Sequence, residues 1–149
     1  MNHNCYLRNG KEEDVDILFE WANDADVRRN SFSTADIVYE NHVKWYESLL
    51  QKENVKQYIL VSDGECIGQV RVSVEGEKAE IGYSLSAKHR GKGYGKQIIS
   101  LLPSKIKEDF PAVRVLVAQV KTDNLASQKV FLDNSYETKC IVYEYTIPE

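Results

Sequence analysis

The segment Ile81–Gly95, IGYSLSAKHRGKGYG, decides how the rest of the chain is read. An apolar, aromatic run gives way to Gly91, Gly93 and Gly95, interleaved with Arg90, Lys92 and Tyr94, and an apolar-periodic stretch follows at once. Glycine lets backbone approach a ligand with no Cβ in the way, and the first turn of a helix leaves amide N–H groups without intrahelical acceptors. The partial positive charge of a helix N-terminus, with Lys88, Arg90, Lys92 and Lys96 around it, suits a phosphate or pyrophosphate. An ordinary turn is the alternative reading of the glycines, and their alternation with bases ahead of a helix weighs toward the ligand site.

Working outward, the chain has 149 residues, 42% of them hydrophobic and 28% charged, enough for one domain with a full core and too few for two. A single domain over 1–149 is expected. The net charge of -4 argues against a nucleic-acid partner and makes the basic cluster near residue 90 a local exception, fit for a small anion. Cys5, Cys66 and Cys140 lie far apart with no CxxC spacing, so neither a metal site nor a disulfide framework is expected, and a reducing, cytoplasmic setting fits. The N-terminus has no signal-like apolar run, and no segment approaches the roughly 20 apolar residues of a membrane span.

Asn9 with Glu12 reads as a helix start, and Val15, Leu18, Phe19 and Ala22 share one face, predicting a first helix over about 11–24. Residues 24–36 are polar and mixed, a loop or broken helix. Val43, Tyr46, Leu49 and Leu50 mark a second helix, with His42 and Trp45 near its start. The period then becomes two over Tyr58–Ser62, Cys66–Val74 and Ala79–Leu85, with Asp63-Gly64 and Glu75-Gly76 as hairpin turns. After the glycine loop, Ile98, Ile99, Leu101, Leu102 and Ile106 give a third helix ending near Phe110-Pro111. The apolar run Val113–Val120 predicts a strand buried on both faces, and Asn124 a fourth helix to about Asn134. The tail Tyr136–Ile147 alternates enough for one or two strands, and Ile141–Ile147 is a candidate to complete a partner's sheet in a homodimer, with a monomer equally open.

This order, with a glycine loop joining strand to helix, resembles the GNAT superfamily of acetyl-CoA-dependent N-acetyltransferases over nearly the whole chain. Arg90-Gly91-Lys92-Gly93-Tyr94-Gly95 matches the family's loop pattern, the AEIGYSL run its fourth strand, and Asn124, Ser127, Phe131 and Ser135-Tyr136 its downstream motif. The resemblance implies an α+β (α/β) fold: a mixed, mostly antiparallel sheet of six to seven strands, about four flanking helices, and fourth and fifth strands that splay apart. It further implies acetyl-CoA as co-substrate, its pantetheine arm against Tyr83, Ser84 and Leu85. The pyrophosphate would lie on Arg90, Gly91, Lys92, Gly93, Tyr94, Gly95 and Lys96, with Asn124, Ser127 and Phe131 near the arm.

Acetyl transfer to an amine needs an oxyanion donor, for which the Tyr83 or Leu85 amide is the candidate, and a neutral nucleophile. An amine of pKa ~10.4 is almost wholly protonated at pH 7, so a base is required. Glu80 is the first candidate and His42 the second; an exposed strand carboxylate and a packed histidine are the bland readings. Many family members carry a tyrosine at Phe131 that protonates the leaving thiolate; phenylalanine cannot, which turns attention to Tyr83, Tyr143 or solvent. The segment 21–50 resembles acetyltransferases acting on nucleotide-linked amino sugars in nonulosonic-acid and surface-polysaccharide routes. Arg28 or Arg29 would meet phosphate, and Trp45, Tyr46 or Phe32 would stack on a base or sugar, unless these are solvated charges and core anchors. Ribosomal-protein or peptide N-terminal acetylation and a catalytically silent CoA-binding module are the alternatives.

Overall fold

The period-two segments form the centre of the fold. The computed structural model describes residues 4–149. Its sheet comprises β1 (Cys5–Asn9), β2 (Val55–Ser62), β3 (Glu65–Glu75), β4 (Lys78–Leu85) and β5 (Val115–Ala118) in the order β1-β2-β3-β4-β5. The first four strands are antiparallel, and β5 joins β4 in parallel. A bulge where Ile67 is inserted between the Leu60 and Val61 registers bends β3 against β2.

Alternation divides the sheet's side chains between two cores. Tyr58, Leu60, Val70, Val72, Ala79 and Ile81 pack on one side against α4 (Tyr94–Asp109) and α5 (Leu125–Asp133). Ile59 and Val61 pack on the other against α1 (Val15–Ala22) and α3 (Tyr39–Gln51), through Leu18, Trp21, Tyr46 and Leu49. A sixteen-residue α4 carrying Ile98, Ile99, Leu102 and Ile106 inward is held at its far end by Tyr58, whose hydroxyl donates to Asp109 Oδ2 at 2.7 Å. Among the described residues no helix is long and apolar enough to cross a membrane.

Several expectations need correction. Among the described residues the sheet has five strands, not six to seven: residues 136–149 form no strand, and Ile141, Val142, Tyr143, Tyr145 and Ile147 lie exposed. Alternation says which side chains would share a face; it supplies no neighbouring edge, and β5 offers only four residues. That strand is not buried on both faces either, since Val115 and Val117 are exposed at the sheet's edge. Among the described residues five α-helices replace about four, because residues 24–36 contain α2 (Ala25–Asn30). The first helix is split into a 3-10 turn, Glu12–Asp14, and α1. Asp14, not Glu12, reaches back to cap the Lys11 amide at 2.7 Å, and Asn9 ends β1 instead of capping a helix. Arg8 grips the same carboxylate bidentately at 2.7 and 2.8 Å.

The close approach of β3 to β4 sets a testable limit. A Cβ at Gly68 would lie 2.6 Å from the Ser84 carbonyl oxygen and 2.8 Å from Leu85 Cδ2, whereas one at Gly82 meets nothing within 4 Å. Gly68→Ala is expected to destabilise the protein by about 1–3 kcal/mol in urea unfolding. Gly82→Ala stays within about 0.5 kcal/mol of the parent; equal effects would dismiss the clash.

Candidate functional site

The loop that follows β4 is built by conformation, not by lack of room. Gly91 and Gly93 have φ of 74° and 86°, in the left-handed region, although a Cβ on either would meet nothing within 4 Å. Gly93 is the N-cap of α4, and the first bond back to it runs from Gln97 N–H to its carbonyl at 3.2 Å. Having no side chain, Gly93 gives the helix no capping acceptor, so the start of α4 faces the loop with its amides and partial positive charge. Gly95 is glycine for space: its Cβ would stand 3.2 Å from Val130 and 3.6 Å from the Tyr83 hydroxyl.

Two side-chain clamps hold this loop. His89, buried in the 3-10 turn Ala87–His89, shares a 2.8 Å hydrogen bond between Nε2 and Glu65 Oε2 and stands edge-on to Tyr94. Arg90 turns away from the loop: Nη2 donates to Asp24 Oδ1 at 2.8 Å and to the Leu85 carbonyl at 3.1 Å, and Nη1 to Asp26 Oδ2 at 3.1 Å. Asp24 is also the N-cap of α2, accepting from the Asp26 and Val27 amides. Partial burial pushes Asp24 up, but Arg90 and these amides outweigh it and hold its carboxyl below the ordinary range. At the other end of α2, Lys121 Nζ donates to the Arg29 carbonyl at 2.9 Å. Since Arg90 follows β4 and Lys121 follows β5, α2 is strapped across the C-terminal ends of these parallel strands by both loops.

Between those strands the sheet opens. The β4–β5 ladder runs from Lys78–Val115 to Ile81–Ala118 and stops, while β4 continues to Leu85. Tyr83 stands where they part, its hydroxyl 3.0 Å from Ser127 Oγ and its ring edge-on to Phe131 at 5.8 Å. Phe131, buried, packs in turn on Tyr136 at 5.0 Å. Burial pushes the Tyr83 phenol up, against a smaller opposing pull from Ser127, so it is protonated at neutral pH. Asn124 caps α5 by accepting from Ser127 N–H at 3.3 Å.

The α1/α3 face of the sheet carries a polar floor near this opening. Gln57 Nε2 donates to Gln69 Oε1 at 2.6 Å, and Gln69 Nε2 to Ser84 Oγ at 3.0 Å. Arg71, between Gln57 and Gly82 in register, lies with its guanidinium carbon 4.8 Å from the centroid of the exposed Trp45 ring. Glu80, exposed, lines a shallow hollow of about 350 Å³ with Ser73, Lys78 and Val117. It precedes Tyr83 by three residues, about 10 Å along the strand.

The sequence-predicted residues thus separate into groups. Tyr83, Ser127, Phe131 and Gly95 come together at the splay, beside Ser84, Leu85 and the loop of Arg90, Gly91, Lys92, Gly93, Tyr94 and Lys96. His42 is buried, its Nε2 2.9 Å from the Val15 carbonyl and its ring between Phe19 and Trp45; burial pushes its pKa down. Tyr46, buried, donates to the Lys11 carbonyl at 2.7 Å, so both belong to the α1–α3 packing. Arg28 directs its guanidinium to the Ala22, Ser33 and Ala35 carbonyls, and Arg29 is an exposed partner of Asp26. Sequence reasoning missed Asp24, Gln69, His89 and Arg71. The signal for Arg71 was a charge among the polar-phase residues of a strand whose other phase, Val70 and Val72, is core.

The loop fits a pyrophosphate through its left-handed glycines, a helix start without a side-chain cap, and surrounding lysines. The side of β4 left without a strand from Gly82 to Leu85 fits an extended amide-bearing arm. Arg90, with three acceptors on two elements, is a joint between loop and α2. Arg90→Lys keeps the charge but cannot span them. It is expected to lower Tm by about 2–4 °C and to weaken acceptor binding more than acetyl-CoA binding, measured by thermal shift and steady-state kinetics. Loss confined to acetyl-CoA affinity would make Arg90 a phosphate ligand instead.

Comparison with known proteins agrees with this geometry. Residues 4–134 match the family described as the acetyltransferase (GNAT) domain. YfmK of Bacillus subtilis, an uncharacterized N-acetyltransferase, is 30% identical over 122 residues, covering 81% of this chain and 77% of that protein. Acetyltransferase PseH of Campylobacter jejuni is 28% identical over 128 residues, 83% of this chain and 77% of its own. The solved spermidine N-acetyltransferase of Vibrio cholerae, in complex with CoA and spermine, superposes with a TM-score of 0.84 at 15% identity, covering 97% and 88% of the two chains, a likeness of fold. The chain belongs to the GNAT acetyltransferase family and is an acetyl-CoA-dependent N-acetyltransferase.

Proposed function

We propose that the amine acetylated by this enzyme belongs to a nucleotide-linked amino sugar. The observation that carries this reading is the hydrogen-bonded row Gln57–Gln69–Ser84 leading to the splay, with the exposed Trp45 ring beside it. Amides and a hydroxyl beside a flat aromatic face suit a ring bearing hydroxyl groups. The resemblance of segment 21–50 to amino-sugar acetyltransferases supports the same acceptor.

Acetyl-CoA brings a thioester carbonyl open to attack. The chain's residues hold and steer it: the Gly91–Gly95 amides and the α4 N-terminus take the pyrophosphate, and the open side of β4 takes the arm. The Tyr83 or Leu85 amide receives the developing oxyanion, and Glu80, through water, removes the amine proton. Tyr83 assumes the role that Phe131 cannot perform. Its protonated hydroxyl, oriented by Ser127, donates to the departing thiolate.

Tyr83→Phe is expected to reduce kcat by about 100-fold while acetyl-CoA affinity changes less than about threefold. Adding Phe131→Tyr restores part of the rate if the proton is delivered across the same gap. An unchanged kcat in the single variant would hand the proton to solvent.

An acceptor screen by thiol release separates the readings of substrate. Turnover is expected on 4-amino sugar nucleotides ahead of polyamines, aminoglycosides and peptides. Turnover confined to peptides would favour N-terminal acetylation, and acetyl-CoA binding with no turnover on any acceptor would make the chain a silent CoA-binding module.

A further inference from the structure

We propose that Arg71, seated on Trp45 in the polar floor beside the splay, binds a phosphate oxygen of the acceptor and so selects anionic amines over polycationic ones. This deepens the amino-sugar-nucleotide reading and rests on it. Arg71 lies in the middle of β3, opposite Gln57 on β2 and Gly82 on β4. Gly82 leaves the space beside it open, since even a Cβ there would meet nothing within 4 Å.

The charges around Arg71 are unbalanced. No carboxylate lies within 4.0 Å of its guanidinium among the described residues, and none of its N–H groups donates to a protein acceptor there. Its charged neighbour is Arg28, whose field acts against it, and the titratable His42 nearby is held neutral by burial, with Arg71 acting in the same sense. Glu80 sits diagonally across the β3–β4 pair, about 7–8 Å away between backbones, outside ion-pair contact. Surrounding protein, then Arg28, lowers the Arg71 pKa, yet the residue is exposed to solvent.

A cation in such a place gains only a modest attraction from the Trp45 face while repelling Arg28. What it retains is a planar fork of five N–H donors pre-oriented by stacking, which matches two oxygens of a phosphate. Arg28 is unable to substitute, because backbone carbonyls already engage its guanidinium. The arrangement disfavours polyamines, whose charges would meet Arg71 and Arg28 together.

The test uses the whole enzyme with saturating CoA, so that the donor loop is filled, and measures binding of uridine diphosphate and inorganic pyrophosphate to the parent, Arg71→Gln and Arg71→Lys by calorimetry. We expect Arg71→Gln to weaken diphosphate binding about 10- to 100-fold, Arg71→Lys to retain part of it, and neither to lower Tm or acetyl-CoA affinity. In kinetics, Arg71→Gln raises KM for a nucleotide-linked amino sugar by a similar factor, and leaves KM for the phosphate-free methyl glycoside of the same amine within about twofold. Equal losses on both acceptors, or diphosphate binding unaffected by the substitution, would overturn the role of Arg71 while leaving the amino-sugar reading intact. If nucleotide-linked amines are not acetylated, that reading falls, and the binding arm still decides whether Arg71 is an anion site.

Discussion

The parallel ladder between β4 and β5 is only four pairs long, and the rest of the site depends on its ending there. Pairing to the end of β4 would seal its backbone and leave no side for an extended arm. Instead β4 runs on alone past Ile81, and the room beside it is bounded by Tyr83, Ser127 and Phe131. The connection from β4 through α4 to β5 brings the start of α4 to the same end of the sheet, where the glycine loop leaves β4. One divergence of two strands thus sets the helix terminus, the open strand edge and the phenol hydroxyl within one short region. The α1/α3 face is untouched by it and keeps the polar row of Gln57, Gln69 and Ser84.

Much of this was legible because it is written in periodicity. The meander of β2, β3 and β4 follows from alternation with Asp-Gly and Glu-Gly turns, and α4 from apolar residues at helical spacing. Asn124 announced α5 as a capping residue and proved to accept from Ser127 N–H. Periodicity also places Tyr83 with Ala79 and Ile81 on the α4/α5 side, which is where its hydroxyl lies. It was misleading at β5, where a continuous apolar run suggests cover on both faces. Whether a strand is interior depends on having neighbours, and β5 has one.

What escaped the sequence rests on contacts between distant elements. A six-residue helix such as α2 is too short to show a period, although Asp24 carried the signature of its cap. Arg90 reads as one more base in a basic loop, and only the fold reveals that it meets Asp24 and Asp26 across the site. His42 reads as the second candidate base and Tyr46 as a contact that stacks on a base or sugar; here they join α3 to α1. Arg71 and Trp45 meet only because a strand and the helix covering it happen to cross there.

The bridge from Arg90 to α2 has a thermodynamic consequence. On the proposed function, the loop that takes the donor's phosphates shares one guanidinium with α2, so an acceptor that contacts α2 has its binding free energy linked to the donor's. Linkage is reciprocal: whatever factor the donor imposes on the acceptor's affinity, the acceptor imposes on the donor's. Where that coupling is positive, specificity toward the amine is registered also as retention of the thioester.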